Sequence, residues 1–260
     1  MKRLTRAGVG AAAILAALTL TAVPALAQAP AAPVPDQVMS PPDTIATKGG
    51  PLSIQPVNHA SFILTYRGKV IYVDPVGGVQ RYLDYPKPDL IVITDIHGDH
   101  MHAPTLNALV APTTPIIAPA AVRAALPANL QARVIVLQNG LSTTWGDVGV
   151  EAVPMYNITT DRLQYHAKGR GNGYVLTFGD KRVYVAGDTE AIPEMLALRN
   201  IEAAFIPMNL PFTMTPQQAA DAVKTFKPRI VYPYHSRGSD VAAFAAQVGP
   251  ASEVRQRNWY

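Results

Sequence analysis

The 260-residue chain contains no cysteine. Disulfides and thiolate ligands are both excluded, so stability rests on a packed core and any metal ion must be held by nitrogen and oxygen atoms. Charge is scarce and balanced. Charged residues make up 15 % of the chain, with 22 Lys and Arg against 18 Asp and Glu. Three of the basic residues, Lys2, Arg3 and Arg6, lie in the first six positions, and without them the count is 19 against 18. The high isoelectric point is therefore an end effect. With no basic patch behind it, no nucleic-acid partner is expected.

A long apolar run is also lacking. Ala7 to Val23 is mostly apolar but short for a membrane span. A basic start precedes it, and Ala25-Leu26-Ala27 closes it with small residues. Residues 1–27 are read as a secretory signal peptide cut after Ala27, which implies a periplasmic or secreted protein with no membrane association after cleavage. The stretch 28–50, rich in proline and alanine and without hydrophobic period, is expected to be an extended linker. Residues 51–260 then suit a single domain. They show no internal sequence repeat.

Short β-branched runs follow one another: Leu52–Val57, Ser61–Tyr66, Lys69–Val73, Leu90–Thr94, Ile116–Ala118, Val134–Leu137, Val148–Val153, Tyr174–Phe178, Val183–Ala186, Ala203–Pro207 and Ile230–Tyr234. Gly, Pro, Asn or Asp punctuates most of them, as strand ends require. "YRGK" (66–69) and "FGDKR" (178–182) read as hairpin turns. Helices are expected over 103–110, 120–126, 192–198, 215–226 and 240–248. The clearest has Thr215 as N-cap, Pro216 at the first position, and Ala219, Ala220, Val223 and Phe226 on one face. Early hairpins followed by strand–helix alternation predict a layered α/β protein with mixed sheets, its ligands on loops past the strand ends.

The histidines fall at those ends. "TDIHGDHMH" (94–102) packs three histidines and two aspartates behind the run Leu90–Ile93. Asp95 and His97 share a side in an extended segment. A turn at Gly98 would re-aim Asp99 and His100 into the same volume. One loop would thus present four ligands, two to each of two adjacent ions. Further candidates are His166 in a long loop, Asp188 after the strand in "VYVAGDTE" (183–190), and His235 closing "RIVYPYHS" (229–236). "HSRGSD" (235–240) lacks the turn context of a serine nucleophile elbow.

D-x-H-x-D-H after a strand, an isolated histidine, G-D-T after a strand and a strand-final histidine resemble, in that order, the metallo-β-lactamase fold hydrolase superfamily. "NHASFILTYRGKVIYVDP" (58–75) and "KPRIVYPYHS" (227–236) resemble its branch of ascorbate-phosphate lactonase-like hydrolases. The likeness spans about residues 52 to 236. It implies a four-layer αβ/βα sandwich with two mixed sheets and a centre of two divalent ions at one edge. Carried over by position, His97 and His166 would serve the first ion, with Asp95 where the family usually has a histidine. Asp99, His100 and His235 would serve the second, and Asp188 would bridge. Zinc is the expected metal. Asp95 in direct ligation would add negative charge and move the preference toward manganese or iron. The other reading makes Asp95 an orienting partner of His97. His59 matches no ligand and reads as a supporting or substrate-contacting residue, and His102 reads as structural.

Two such ions would hold a water between them, lower its pKa so that hydroxide is available, and polarise a carbonyl or phosphoryl oxygen; Asp99 would also orient that hydroxide as a catalytic residue. The expected function is an exported dinuclear metal-dependent hydrolase of a small lactone, amide or phosphoester. A non-catalytic metal-binding or sensing protein of the same fold and a β-lactamase are the alternatives. Lys168 and Arg170, among Gly169, Gly171 and Gly173, could hold an anion over the site or simply belong to a solvated, flexible loop.

Overall fold

In a computed structural model, residues 40–260 are described; the expected signal peptide and the linker up to residue 39 lie outside them. The chain runs through seven strands that pair strictly in sequence order. These are β1 (Asp43–Thr47), β2 (Gly50–Asn58), β3 (Ser61–Tyr66), β4 (Lys69–Val73), β5 (Leu90–Val92), β6 (Ile116–Ala118) and β7 (Val134–Val136). The first four pair antiparallel and β4 through β7 pair parallel. A second sheet repeats the scheme with β8 (Ser142–Trp145), β9 (Val148–Met155), β10 (Gly171–Phe178), β11 (Lys181–Val185), β12 (Ala203–Pro207), β13 (Ile230–Tyr234) and β14 (Glu253–Val254). Again four antiparallel strands lead into a parallel run. The topology is thus duplicated although the sequence shows no repeat.

The two-residue alternation of each strand sorts its side chains between layers. Ile71 and Val73 of β4 point into the core between the sheets, where Val183 and Val185 of β11 join them. Tyr72 faces the other way, onto α1 (Ala103–Leu109), α2 (Ala120–Ala125) and α3 (Ala128–Gln131) through Leu106, Val122 and Leu130. Tyr184 of β11 does the same against α4 (Pro193–Leu196), α5 (Pro216–Phe226) and α6 (Val241–Val248), meeting Met195, Phe226 and Phe244. The result is the αβ/βα sandwich, two sheets each covered by helices on one face. Thr215 caps α5 in a capping box with Gln218, as its sequence predicts. Among the described residues, no helix is long and apolar enough to cross a membrane.

One expectation needs correcting. Residues 43–50, read as linker, form β1 and its turn into β2. Ile45 is buried in the inter-sheet core, and Asp43 takes a two-pronged ion pair from Arg257, at 2.9 and 2.6 Å. The partner lies 214 residues away, so a local composition reading sees only a polar, proline-flanked stretch.

Candidate metal centre

Asp95, His97, Asp99 and His100 sit just past β5, Asp188 three residues past β11, and His235 directly after β13. His166 comes from the loop between β9 and β10. The chain turns at Gly98, as the sequence reading expects. The His97 carbonyl accepts the N–H groups of His100 and Met101, at 3.0 and 2.8 Å, and Gly98 keeps an ordinary φ. Left-handed backbone appears instead at His59, Asp74 and His235 (φ 55°, 43° and 45°), sparsely populated for residues with a Cβ. Gly187 (φ 65°) does need to be glycine: a Cβ there would lie 2.4 Å from Met155 Sδ.

The ligand-type atoms gather in overlapping groups: Asp95 with His97 and His166, His100 with Asp188 and His235, and Asp99 with His59 and His235. Asp188 occupies the middle. Its Oδ2 lies 3.2 Å from His100 Nε2 and 3.3 Å from His166 Nε2, and its Oδ1 3.4 Å from His235 Nε2. On one side Asp95 Oδ2 is 2.9 Å from His97 Nδ1 and 3.9 Å from His166 Nε2. On the other, Asp99 Oδ2 is 3.2 Å from His235 Nε2 and 3.0 Å from His59 Nε2. All eight sequence-predicted residues are therefore brought to one volume.

Outer partners fix which imidazole nitrogen faces that volume. His100 Nδ1 lies 2.8 Å from Asp74 Oδ2, His235 Nδ1 2.9 Å from Asn209 Oδ1, and His166 Nδ1 3.2 Å from the Phe212 carbonyl. Each of those oxygens accepts, so each Nδ1 carries the proton and each Nε2 turns a lone pair inward. His100 Nε2, His166 Nε2 and Asp188 Oδ1 are buried with no hydrogen-bond partner, since the close Asp188 contacts lack hydrogen-bond geometry. Buried polar atoms are rarely left so. A set of inward lone pairs on nitrogen and oxygen fits a borderline divalent cation.

The carboxylates and imidazoles of the cluster hold one another's charge. Burial acts to raise the Asp188 carboxyl, but His235 and His100 outweigh it and hold it well below the ordinary carboxylate range. Burial opposes charge on His100 too, yet Asp188 and Asp74 together push it well above the usual imidazole value. At Asp99, burial is likewise outweighed, by the contacts with His235 and His59.

Sequence reasoning missed several supports. Asp74, just after β4, is fully buried; it accepts Thr94 N–H at 2.7 Å and Thr94 O–H at 2.6 Å while holding His100. Nothing local marks it beyond its strand-end position. Tyr260 also reaches the site. Its hydroxyl oxygen accepts the N–H groups of Ser236 and Arg237, at 2.7 and 2.8 Å, and lies 2.9 Å from His59 Nδ1. With the oxygen's two lone pairs engaged, the phenol proton goes to His59, which then donates from Nε2 to Asp99. Glu190 fastens the loop that carries His166 by accepting from Ile158, Thr159 and Arg162 at 2.6–2.7 Å. His102 stands at the N-cap position of α1, its Nδ1 2.7 Å from Thr105 Oγ1, outside the cluster.

Two expected roles change. Lys168 is turned to Glu194 at 2.9 Å and Arg170 to Asp95 at 3.0 and 3.2 Å, so neither offers a free cation to an anion over the site. The Arg170 guanidinium also offsets the negative charge that Asp95 was expected to add. The cluster floors an open cavity of about 570 Å³. Tyr165, Leu210 and Phe212 form an apolar wall, with Leu210 and Phe212 52 % and 43 % exposed, while Arg237 and Asn58 supply polar rim.

Comparison with known proteins agrees with the fold and with a metal-dependent hydrolase. Residues 53–235 match the family described as the beta-lactamase superfamily domain. A UPF0173 metal-dependent hydrolase of Desulforamulus reducens is 31 % identical, over 69 % of this chain and 82 % of its own length. One from Thermococcus kodakarensis is 28 % identical, over 76 % and 92 %. Among solved structures, a Parabacteroides distasonis protein described as a metal-dependent hydrolase is 41 % identical and superposes with a TM-score of 0.77, covering 84 % of this chain and 98 % of its own. Igni18, a metallo hydrolase of Ignicoccus hospitalis, shares the fold at 23 % identity and a TM-score of 0.67, covering 79 % and 94 %. The chain belongs to the beta-lactamase superfamily, among its metal-dependent hydrolases.

Proposed function

We propose that this chain is an exported hydrolase that uses two divalent ions, zinc by preference, to cleave a small lactone, amide or phosphoester. The observation that carries the reading is the buried Asp188 carboxylate set between His166 on one side and His100 and His235 on the other, each turning an unpartnered or inward-facing atom to the same volume. Asp95, His97 and His166 would hold one ion, Asp99, His100 and His235 the other, with Asp188 between. When bound, such ions supply an acidified water and a Lewis acid for the substrate oxygen.

The remaining work falls to the chain's own groups. Asp99 stays ionised and half-exposed toward the cavity, where its carboxylate can accept a hydrogen bond from the attacking water and hold it in line. His59, donating from Nε2, fixes the orientation of that carboxylate. The apolar wall of Leu210 and Phe212 removes water from one side of the substrate. Export rests on the first 27 residues, and cleavage after Ala27 is read out by N-terminal sequencing of the protein recovered outside the cytoplasm.

The test is turnover of lactone, bis-aryl phosphodiester and cephalosporin reporters, with metal content measured on the same sample. At least one reporter should be hydrolysed, and a chelator should abolish that turnover until Zn²⁺ is restored. Two ions bound with no chelator-sensitive turnover of any reporter would replace the enzyme reading with a metal-binding protein.

A further inference from the structure

The two sides of the cluster are not satisfied to the same degree. His100 Nε2, Asp188 Oδ1 and His166 Nε2 are buried without partners. Asp95 and His97 are instead partnered by Arg170. Its Nε and Nη2 donate to Asp95 Oδ1 and Oδ2 at 3.2 and 3.0 Å, and Nη2 also lies 3.3 Å from His97 Nε2 and donates to the Tyr165 carbonyl at 2.6 Å. Asp95 is fully buried and Arg170 largely so, its side chain 20 % exposed, so solvent screens the pair weakly. Nη2 has two hydrogens, directed to Asp95 and Tyr165, so its contact with His97 Nε2 is a shared one. The His97 ring proton sits on Nδ1, the nitrogen that donates to the Asp95 carboxylate at 2.9 Å. Asp95, His97 and Arg170 thus close a hydrogen-bonded set with no ion in it.

From this we infer that Arg170 is the charge-compensating latch of the Asp95 side. An ionised carboxylate and a guanidinium sum to zero, the charge of one neutral imidazole, so the Asp95–Arg170 pair replaces a histidine electrostatically. It also makes an incoming ion compete with the guanidinium and displace the His97 Nδ1 proton. Two ions therefore bind unequally, the weaker on the Asp95 side. This rests on the two-ion reading above.

The test is titration of the metal-stripped full chain with Zn²⁺ against a chromophoric chelator, and with Mn²⁺ by the resonance of the free ion. Wild type should fill in two separated steps. Arg170→Met should tighten the weaker step at least about tenfold, the scale of one removed charge a few ångströms away at an effective dielectric of about 20; the stronger step should stay within about threefold, as for a site outside the pair. Arg170→Lys keeps the charge and should stay near wild type, which guards against a folding defect in the methionine variant. Asp95→His alone leaves the guanidinium without its counter-charge and should weaken that step, while Asp95→His with Arg170→Met should restore it. Arg170→Met binding the weaker ion equally or less tightly would overturn the latch and make Arg170 a mere support of Asp95. A wild-type chain that takes up neither ion would overturn the two-ion reading instead, so the two failures are distinguishable.

Discussion

The two halves of the molecule, residues 43–136 and 142–254, share one topology, and each delivers an aspartate at the end of its fourth strand. In the first half Asp74 follows β4; in the second Asp188 follows β11. Both reach His100, Asp74 at Nδ1 from 2.8 Å and Asp188 at Nε2 from 3.2 Å. Their surroundings differ. Asp74 accepts from Thr94 twice and from His100, and stays wholly behind the imidazole. Asp188 keeps an unpartnered oxygen and faces three histidines. Corresponding strand ends of a duplicated scaffold thus carry aspartates in opposite settings, one packed behind an imidazole and the other facing the clustered histidines.

That division can be broken by substitution. Asp188→Asn should show the largest effect: at least one ion lost per chain by elemental analysis, and hydrolysis of whichever reporter is cleaved lowered by more than about 100-fold, beyond what outer partners typically cost. Asp74→Asn leaves the ligand atoms intact but loosens His100. Ion affinity should fall about 10–100-fold in chelator competition while stoichiometry at saturation stays the same. Equal losses for the two variants would show that the halves contribute alike. Glu190→Gln removes the charge that gathers Ile158, Thr159 and Arg162, and should raise proteolytic cleavage within 156–170 while lowering ion affinity by a smaller factor than Asp74→Asn. Tyr260→Phe should disturb the ions least, leaving metal content unchanged while costing about 0.5–1.5 kcal/mol in a denaturant melt for each hydrogen bond lost.

Much of the architecture is legible in the sequence because the buried strands are continuous and β-branched, and their ends carry chemistry-bearing residues. All eleven predicted strand runs overlap observed strands. The strands that escape are edge strands or short: β1 has one buried side chain, and β8, Ser-Thr-Thr-Trp, has none fully buried. Neither shows the hydrophobic alternation that marks a strand, because an edge strand need bury only a few side chains. The ligand-type residues were legible since they recur at strand ends in an ordered series. Their supports were not. Asp74 and Asn209 are a turn aspartate and a loop asparagine until the fold brings His100 and His235 against them, 26 residues away in each case. Arg170, amid glycines, reads as an anion cradle; only the packing of β10 beside the loop after β5 reveals that its anion is Asp95.

The clustered atoms also divide between the halves. Asp95, His97, Asp99 and His100 come from the first, and His166, Asp188 and His235 from the second. An ion held among them would be a cross-link in a chain that has no cysteine to make one. Separating the sheets would then mean releasing it, so its binding free energy becomes resistance to unfolding, rising with the logarithm of free metal concentration.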